Sequence, residues 1–332
     1  MPSREYLWVV PELSYGTPIG SPTTGTNAFY ARLHETDSFS GQMNPVLLDV
    51  PYGGGRATPA LQVSDQYTCT FSFKTYLYAG PYSALLCGWA MTPIDAGRTV
   101  PWVTTDSTYL MPPGDLASLS FYHAIQRADS TYDLRRYSGA KCLTWNISAS
   151  RQSPIAVLSV TGQAIRDDLN AAGVQAYPTG TEFPAPTEVQ YPTNPYLYSH
   201  TAGNLTLINS GSTVRTQYAS LSLAGSNVMD PNWFESKYPQ IIRFCGRTIT
   251  LGANLFLTPT PDDLAFLQQK TQMKSSLVFN NGTNSLTFNL ETNNYLKSVA
   301  RNLPLNQVFK RQISVQNFWD ATNSTDFTVT AA

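Results

Sequence analysis

The sequence predicts a mainly β protein with two tandem sheet-rich domains, each with a short flanking helix, plus long loops or arms. Apolar residues recur at every second position in many short runs, which is the period of a half-buried strand. Tyr and Phe occur 19 and 15 times, and aromatic residues are enriched in strands. A proline-rich segment divides the chain, and similar strand patterns lie on both sides of it.

The clearest alternation lies in residues 202–257, where Thr, Ser and Asn fill the positions between apolar residues. The apolar members are Leu205, Leu207, Leu221, Leu223, Ile249, Leu251, Leu255 and Leu257. This stretch predicts two pairs of strands with a turn segment between the pairs. Within the turn segment, Asp230-Pro231 predicts the start of a short helix that includes Trp233 and Phe234.

The same rules predict elements elsewhere in the chain. We expect strands at 67–78, 143–148, 155–162, 308–315 and 327–330, hairpins at 118–137 and 277–290, and helices at 82–90, 165–173 and 261–271. Gly80-Pro81 opens the segment 82–90, and Pro81 suits the first helical position. Residues 1–60 are rich in turn formers and predict extended arms or loops, and residues 91–117 are loop-like.

The proline-rich segment predicts the domain boundary. It spans residues 177–196 and contains Pro178, Pro184, Pro186, Pro192 and Pro195. Such a composition is typical of a linker. We therefore expect a first domain at 1–176, with an extended N-terminal region, and a second domain at 197–332.

The two halves also suggest an internal duplication. Residues 139–163 align with 202–227, so that Leu143-Thr144 matches Leu205-Thr206 and Leu158-Ser159 matches Leu221-Ser222. In order along the chain, the strand and helix of 67–90 correspond to those of 247–271. The hairpin of 118–137 likewise corresponds to that of 277–290. Each half then contains a strand, a helix and a hairpin, although this alignment requires a circular shift in their order between the two halves. A chain with two similar units doubles the apparent symmetry of a ring.

Charge is scarce throughout. Charged residues make up 13% of the chain, and the net charge is −1; an ordinary soluble domain has about 25% charged residues. Either copies of the chain cover much of the surface, or the surface is rich in Ser, Thr and Asn. The chain has no run of Lys and Arg, although a protein that reads nucleic-acid sequence usually carries a basic patch. The first ten residues do not resemble a signal peptide, and no apolar run is long enough to cross a membrane. We therefore expect assembly in the cytoplasm.

The sequence predicts no catalytic, cofactor-binding or metal-binding residue. His34, His123 and His200 lie far apart in sequence without other ligands at metal spacing. No phosphate-binding, dinucleotide-binding or hydrolase motif is present. The four cysteines form no CxxC pair, and we interpret all of them as small buried hydrophobic residues. They are Cys69, Cys87, Cys142 and Cys245.

Each remaining candidate has a structural explanation beside a functional one. The glycines at 53–55 belong either to a flexible loop or to a phosphate-binding loop. Asp262-Asp263 lies in the first turn of the predicted helix, where the helix dipole favours acidic residues, or forms a pair of catalytic carboxylates. Arg135-Arg136 is a solvated strand edge or a site for an anionic partner. The tryptophans are core residues or a sugar-stacking platform, and they include Trp89, Trp145, Trp233 and Trp319.

Several segments resemble the tail tube (major tail) proteins of long-tailed bacteriophages, in particular the branch with a duplicated tube domain. In the second half they are YSHTAGNLTL (198–207), ASLSLAGSNVMDPNWFESKYPQIIRFCGRTITLGANLFLTPTPDD (219–263) and NGTNSLTFNL (281–290). In the first half they are YTCTFSFKTYLYAGPYSALLCGWA (67–90) and RRYSGAKCLTWNISAS (135–150).

The resemblance implies β-sandwich or barrel domains with a flanking helix, whose inner sheets join between subunits into a continuous barrel. It implies hexameric rings, or trimers of two-domain chains, stacked into a tube. The partners would be further copies of the chain, the tape-measure protein, the tail terminator and the baseplate or tip proteins. Viral DNA would pass without sequence recognition. No enzyme activity and no cofactor are implied.

Two other functions are compatible with the composition. The Tyr and Trp content also suits a carbohydrate- or receptor-binding β-sandwich protein of a phage tail. A hydrolase on a β scaffold would need two carboxylates facing each other at roughly 5–10 Å, and the sequence contains no distinctive pair.

Overall fold

The structure is a computed structural model that describes most of the predicted β regions of the chain. The described residues are 5–18, 29–31, 33–48, 61–78, 81–91, 108–110, 116–126, 132–150, 155–168, 205–208, 212–214, 218–233, 238–256, 263–302, 310–318 and 327–331. Their elements fall into two units in sequence order, and we call these the first unit and the second unit.

The first unit contains ten strands and a helix. They are β1 (Glu5–Ser14), β2 (Thr17–Pro18), β3 (Phe29–Ala31), β4 (Leu33–Leu48), β5 (Leu61–Tyr76), α1 (Pro81–Met91), β6 (Thr108–Leu110), β7 (Leu119–Gln126), β8 (Tyr132–Ser150), β9 (Val157–Ala164) and β10 (Arg166–Asp168). The second unit contains β11 (Leu205–Ile208), β12 (Ser212–Val214), β13 (Tyr218–Asn232), β14 (Ile241–Phe256), α2 (Asp263–Gln268), β15 (Gln272–Asn280), β16 (Ser285–Asn302), β17 (Lys310–Asn317) and β18 (Phe327–Ala331).

The first unit is built from two antiparallel sheets that share the long strand β8. One sheet has the order β3-β1-β7-β8-β10 and uses the first half of β8. The other has the order β4-β5-β9-β8 and uses the second half. We call them the outer sheet and the inner sheet.

The second unit repeats this pairing strand by strand. Its outer sheet has the order β12-β11-β15-β16-β18, and its inner sheet has the order β13-β14-β17-β16. Strand β16 therefore corresponds to β8, β13 to β4, and β14 to β5. Helices α1 and α2 follow the equivalent strands β5 and β14. The short strand β6 adds to the edge of β18 and links the units.

This repeat supports the predicted duplication but corrects part of its alignment. The equivalence of 67–90 with 247–271, and of the two hairpins, agrees with the strand pairing. The alignment of 139–163 with 202–227, and the circular shift it required, are wrong. Strands β8 and β13 are not equivalent strands; they pair with each other. Their similar alternation of apolar and small polar residues reflects their position as neighbours in one sheet.

Pairing of β8 with β13 fuses the two inner sheets. The result is one eight-stranded antiparallel sheet with the order β4-β5-β9-β8-β13-β14-β17-β16. The sheet is not closed into a barrel. Its two outermost strands, β4 and β16, therefore lie at opposite ends of the sheet.

The core lies between the inner and outer sheets. In the first unit, the ring of Phe121 on β7 lies 5.0 Å from Phe71 on β5 and 5.3 Å from Trp89 on α1, measured between centroids. In the second unit, Phe327 on β18 stacks on Phe288, and it also stacks on Trp145 of β8 at 6.0 Å. The core therefore continues from one unit into the other.

The corner at which β8 changes sheets depends on a buried carboxylate. Gly139 has a left-handed φ of +64°, which glycine adopts without strain. Its backbone N–H donates to Glu12, 2.7 Å from Oε1. Ser118, Ser120 and the N–H of Gly16 also donate to the Glu12 carboxylate. Glu12 is only 3% exposed, so these four donors replace the water that it loses.

Most sequence predictions of elements are confirmed. Helix α1 begins at Pro81 as expected, and α2 lies within the predicted range. The two predicted hairpins are β7–β8 and β15–β16. The strands predicted at 67–78, 143–148, 155–162, 308–315 and 327–330 all overlap observed strands. The mainly β fold class is confirmed.

Several predictions of local structure are wrong. The pairs Ile249/Leu251 and Leu255/Leu257 predicted two strands, but Ile249, Leu251 and Leu255 all lie on the single strand β14, and Leu257 lies outside the described residues. The N-terminal region contains β1, β2, β3 and all of β4 rather than only arms or loops. Asp230-Pro231 continues β13, because that segment pairs with the start of β14. Residues 166–168 form β10 instead of the start of a helix. The glycines at 53–55 and the proline-rich segment 177–196 lie outside the described residues.

We expect Gly225→Ala to destabilise the fold, because a Cβ there would lie 2.2 Å from the ring of Trp145. Trp145 is only 2% exposed and has no room to move aside. The cost should be about 1–3 kcal/mol in the free energy of unfolding, measured by chemical denaturation. Gly246→Ala is the control, since nothing lies within 4 Å of its added Cβ. Equal stability of the two variants would contradict the packing at the junction of β8 and β13.

Candidate functional site

One face of the eight-stranded sheet carries small polar side chains, and we call it the polar face. Its members alternate with buried core residues along most of the strands, and on β4 they alternate with the half-buried Phe39 and the exposed Gly41. They include Ser38, Ser40, Gln42, Thr68, Thr70, Ser72, Thr144, Asn146, Ser148, Ser159, Thr161, Ser220, Ser222, Ser226, Thr248, Thr250, Asn254, Gln312, Ser314 and Gln316. Lys74 and Lys310 also lie on this face, and Glu35 is the cross-strand neighbour of Lys74.

Side chains on the polar face bond to each other across the strands. The hydroxyls of Thr144 and Thr161 lie 2.6 Å apart, and Asn254 Nδ2 donates to Ser220 Oγ at 2.6 Å. Such pairs cover the sheet with neutral groups that water can solvate. Retention of a nucleic acid depends mainly on Lys and Arg contacts to phosphate. A face with this composition therefore has little means of holding a polyanion in place.

A shallow open cavity of about 430 Å³ lies on the polar face where β8 meets β13. Its lining includes Lys74, Asn146, Ser148, Ser159, Ser220 and Ser222. Small-molecule sites are usually lined mainly by apolar and aromatic side chains, whereas five serines, one Asn and one Lys are among the ten residues that line this cavity, and none is aromatic. Among the residues that the structure describes, no group of three His, Cys, Asp or Glu could hold a metal ion.

The junction between the units has a defined register. Ser148 lies opposite Ser222, and Trp145 lies opposite Gly225. Side chains of the second unit extend the junction beyond the strands. Asn227 Nδ2 donates to the carbonyls of Ala90 and Cys142, at 3.1 and 2.9 Å.

Two further contacts tie β14 to the first unit. Arg247 Nη1 donates to the carbonyl of Met91 at 2.6 Å and thereby satisfies the C-terminal end of α1. The buried Lys141 Nζ donates to the carbonyl of Ile242 at 2.6 Å. The hairpin of β13 and β14 therefore reaches over the first unit and fixes the relative position of the two units.

The outermost strands of the inner sheet are open. Among the described strands, β4 pairs only with β5, and residues 298–302 of β16 pair only with β17. Because β16 corresponds to β8 and β4 to β13, these two edges are equivalent to the two sides of the internal junction. Unpaired strand edges readily accept another strand.

Comparison with known protein families agrees with this arrangement. The family of phage tail tube proteins matches residues 2–308. The chain belongs to the phage tail tube protein family. The tail tube protein is therefore a structural protein of the virion tail. No curated protein matches its sequence significantly.

The residues that the sequence singled out do not converge in the tail tube protein. His123 is buried on β7, His34 lies on β4, and His200 lies outside the described residues. Arg135 is exposed on β8, as expected for a solvated strand. Asp262 lies outside the described residues, and α2 begins at Asp263. The prediction that no residue is catalytic or binds a cofactor or metal remains a prediction.

The tryptophans that the structure describes do not form an exposed platform. Trp89 and Trp145 are buried in the core, as predicted. Trp233 is half-buried, and its Nε1 donates to the carbonyl of Tyr67 at 3.4 Å. Trp319 lies outside the described residues. The tail tube protein also has, in its described part, no helix that is long and apolar enough to span a bilayer.

The prediction for the cysteines is right for three of them and wrong for the fourth. Cys69, Cys87 and Cys142 are buried, whereas Cys245 is exposed on β14. Cys245 lies in the part of the hairpin that extends beyond the inner sheet, where alternation does not imply burial. Burial raises the pKa of Cys87 to about 12 and raises the pKa of Cys142 well above its ordinary value.

We expect a thiol reagent such as DTNB to label one cysteine per folded chain, Cys245, and all four after denaturation. Cys245→Ser should abolish labelling of the folded tail tube protein. Raising the pH to 9 should not add a second reactive thiol, because the raised pKa keeps Cys87 protonated. The raised pKa of Cys87 also links folding stability to pH. The contribution of its buried neutral thiol to folding stability is fully present below pH 9.0, the ordinary pKa of the thiol, and is lost as the pH rises toward 12. Labelling of two or more thiols in the native chain would contradict the described core.

Proposed function

We propose that the tail tube protein polymerises into rings in which β16 of one copy pairs with β4 of the next. The observation that carries this proposal is the internal junction between β8 and β13. Among the described strands, the equivalent pair is left open at the two ends of the chain's inner sheet. A second copy would satisfy the open backbone groups with a geometry that the chain already uses once.

The internal junction supplies the register of the proposed one. Thr144 lies opposite Ser226 within the chain. By the equivalence of the strands, Ser298 would lie opposite Gln42 of the next copy. Each of these strands has an irregularity at the equivalent place, just before Thr144 in β8 and just before Ser298 in β16. The match of these irregularities supports the transfer of the register.

Three copies would form a ring with six similar units. Antiparallel strands lie about 4.8 Å apart and tilt by about 40° in barrels. Three eight-stranded sheets would then enclose a barrel with a backbone diameter of about 50 Å. After the side chains are subtracted, the channel is wide enough for duplex DNA. The polar face would line that channel.

Stacked rings of this kind would form a tube that encloses the tape-measure protein and later conducts the genome. The neutral polar face supports this role, because DNA must move through the tube without being retained. The remaining proposed partners are the tail terminator and the baseplate or tip proteins at the ends of the tube. Assembly would take place in the host cytoplasm, and no enzymatic activity is part of the proposal.

We also propose that the two repeating units are separate domains. The first would span residues 1–176 and the second 197–332, with residues 177–196 as the linker. The recurrence of the same strand pairing in 5–168 and 205–331 supports this division.

Electron microscopy of the purified tail tube protein at increasing concentration tests the proposed assembly. We expect rings with six similar lobes, or tubes built from them, with a central channel. Three-dimensional averaging should find three copies of the chain in each ring. Particles that remain single chains at every concentration, or closed shells without a channel, would refute the assembly.

A pair of cysteines tests the register of the proposed ring. In a Cys245→Ser background, we expect Gln42→Cys with Ser298→Cys to give covalent dimers and trimers on mild oxidation. Directly opposed residues lie about 4.5–5.5 Å apart, within disulfide reach. Ser38→Cys with Ser298→Cys is the control, because its positions are about 13 Å out of register. Equal crosslinking of both pairs, or covalent ladders that continue beyond the trimer, would contradict the three-copy ring.

A further inference from the structure

The two sides of the internal junction are apolar on the side that faces the core. Ile147 on β8 lies opposite Leu223 on β13, and both are completely buried. The equivalent position to Ile147 is Arg301 on β16, and the equivalent position to Leu223 is Phe39 on β4. The open edges therefore do not simply copy the internal junction; they replace an aliphatic pair with a cation and an aromatic ring.

Arg301 has an unusual position for an arginine. It lies on the core-facing side of β16, since its cross-strand partner is Arg311, which is only 8% exposed. Arg301 itself is exposed at the open edge. Two like charges directly opposite each other are unfavourable. A charge that points inward on an edge strand also discourages unspecific strand pairing.

Phe39 lies at the other open edge as part of an aromatic cluster. Its ring centroid lies 4.7 Å from that of His123 and 4.9 Å from that of Tyr137. It also stacks on Phe71 at 5.9 Å. Phe39 is nevertheless only half-buried, because no described strand covers the outer side of β4. One part of this cluster is therefore accessible to a side chain arriving with another strand.

We propose that Arg301 of one copy stacks on Phe39 of the next copy when β16 pairs with β4. This inference rests on the ring closure proposed above, and it identifies a side-chain contact that favours pairing of β16 with β4. The planar guanidinium group stacks on aromatic rings and is attracted by their negative face. Closure would remove both groups from water on the core side of the sheet, where this attraction is strongest.

The contact would also determine which edges pair. Two β16 edges brought together would place arginines near each other, and two β4 edges would offer no cation to the aromatic clusters. Only β16 with β4 joins a cation to an aromatic ring. The chain therefore uses an aliphatic pair for the junction formed once during folding and a cation–aromatic pair for the junction formed between copies.

Sedimentation of four variants tests the stacking. Arg301→Leu and Phe39→Leu imitate the internal junction, and the double variant combines them. We expect each single substitution to raise the concentration at which half of the chains are associated by about five-fold to thirty-fold, the range that a cation–aromatic contact supplies. The double variant should be no worse than the worse single variant, because both substitutions remove the same contact. Phe39→Tyr keeps the ring and should therefore weaken association less than Phe39→Leu does.

Arg243→Leu is the matched control, since Arg243 is also exposed on a strand but lies in the hairpin of β13 and β14, away from both open edges. Its association should be unchanged, and thermal melting should confirm that all variants are folded. Tighter association of Arg301→Leu, or additive losses in the double variant, would overturn the stacking while leaving ring closure intact. Failure of the unaltered chain to associate, together with failure of the Gln42→Cys and Ser298→Cys pair to crosslink, would instead refute ring closure itself.

Discussion

The need of strand edges for hydrogen-bond partners governs this structure. An edge strand carries a row of backbone groups that no neighbour satisfies, and such rows attract other strands. The chain meets this need once by itself, where β8 pairs with β13 and fuses two inner sheets. The equivalent edges, β4 and β16, are left open at the two ends of the sheet among the described strands. The repeat of the strand pairing thus gives one internal junction and two halves of another.

The long strands β8 and β16 connect the edges of the inner sheet to the stability of each unit. Each strand begins in an outer sheet and ends in an inner sheet, so the inner sheet cannot shift without disturbing the core. In the first unit the change of direction relies on Gly139 and the buried Glu12 carboxylate. In the second unit the buried amide of Asn294 takes the place of this carboxylate. Ser275 donates to Asn294 Oδ1, and Asn294 Nδ2 donates to the carbonyl of Leu290. The geometry is repeated although the chemistry differs.

How far the sequence predicts this fold depends on whether an element's signal is local. Alternation located the strands around Leu221 and Leu223, and Pro81 located the start of α1. Strand β1 was missed because Leu7 and Trp8 point to opposite faces and are both buried, so no alternation is visible. Asp230-Pro231 carries a genuine helix-start signal, but pairing with β14 outweighs it.

The candidate site was less predictable than the fold. The polar face exists only once the register of eight strands is known, because its members come from segments far apart in sequence. The low charge of the chain did suggest a covered or a neutral surface, and the structure shows where the neutral part lies. It also shows that Arg301 stands at an open edge, where the internal junction has the aliphatic Ile147. A chain with so few charges has little reason to keep an arginine on the core side of a strand unless a partner covers it. We propose that an aromatic ring on a second copy is this partner.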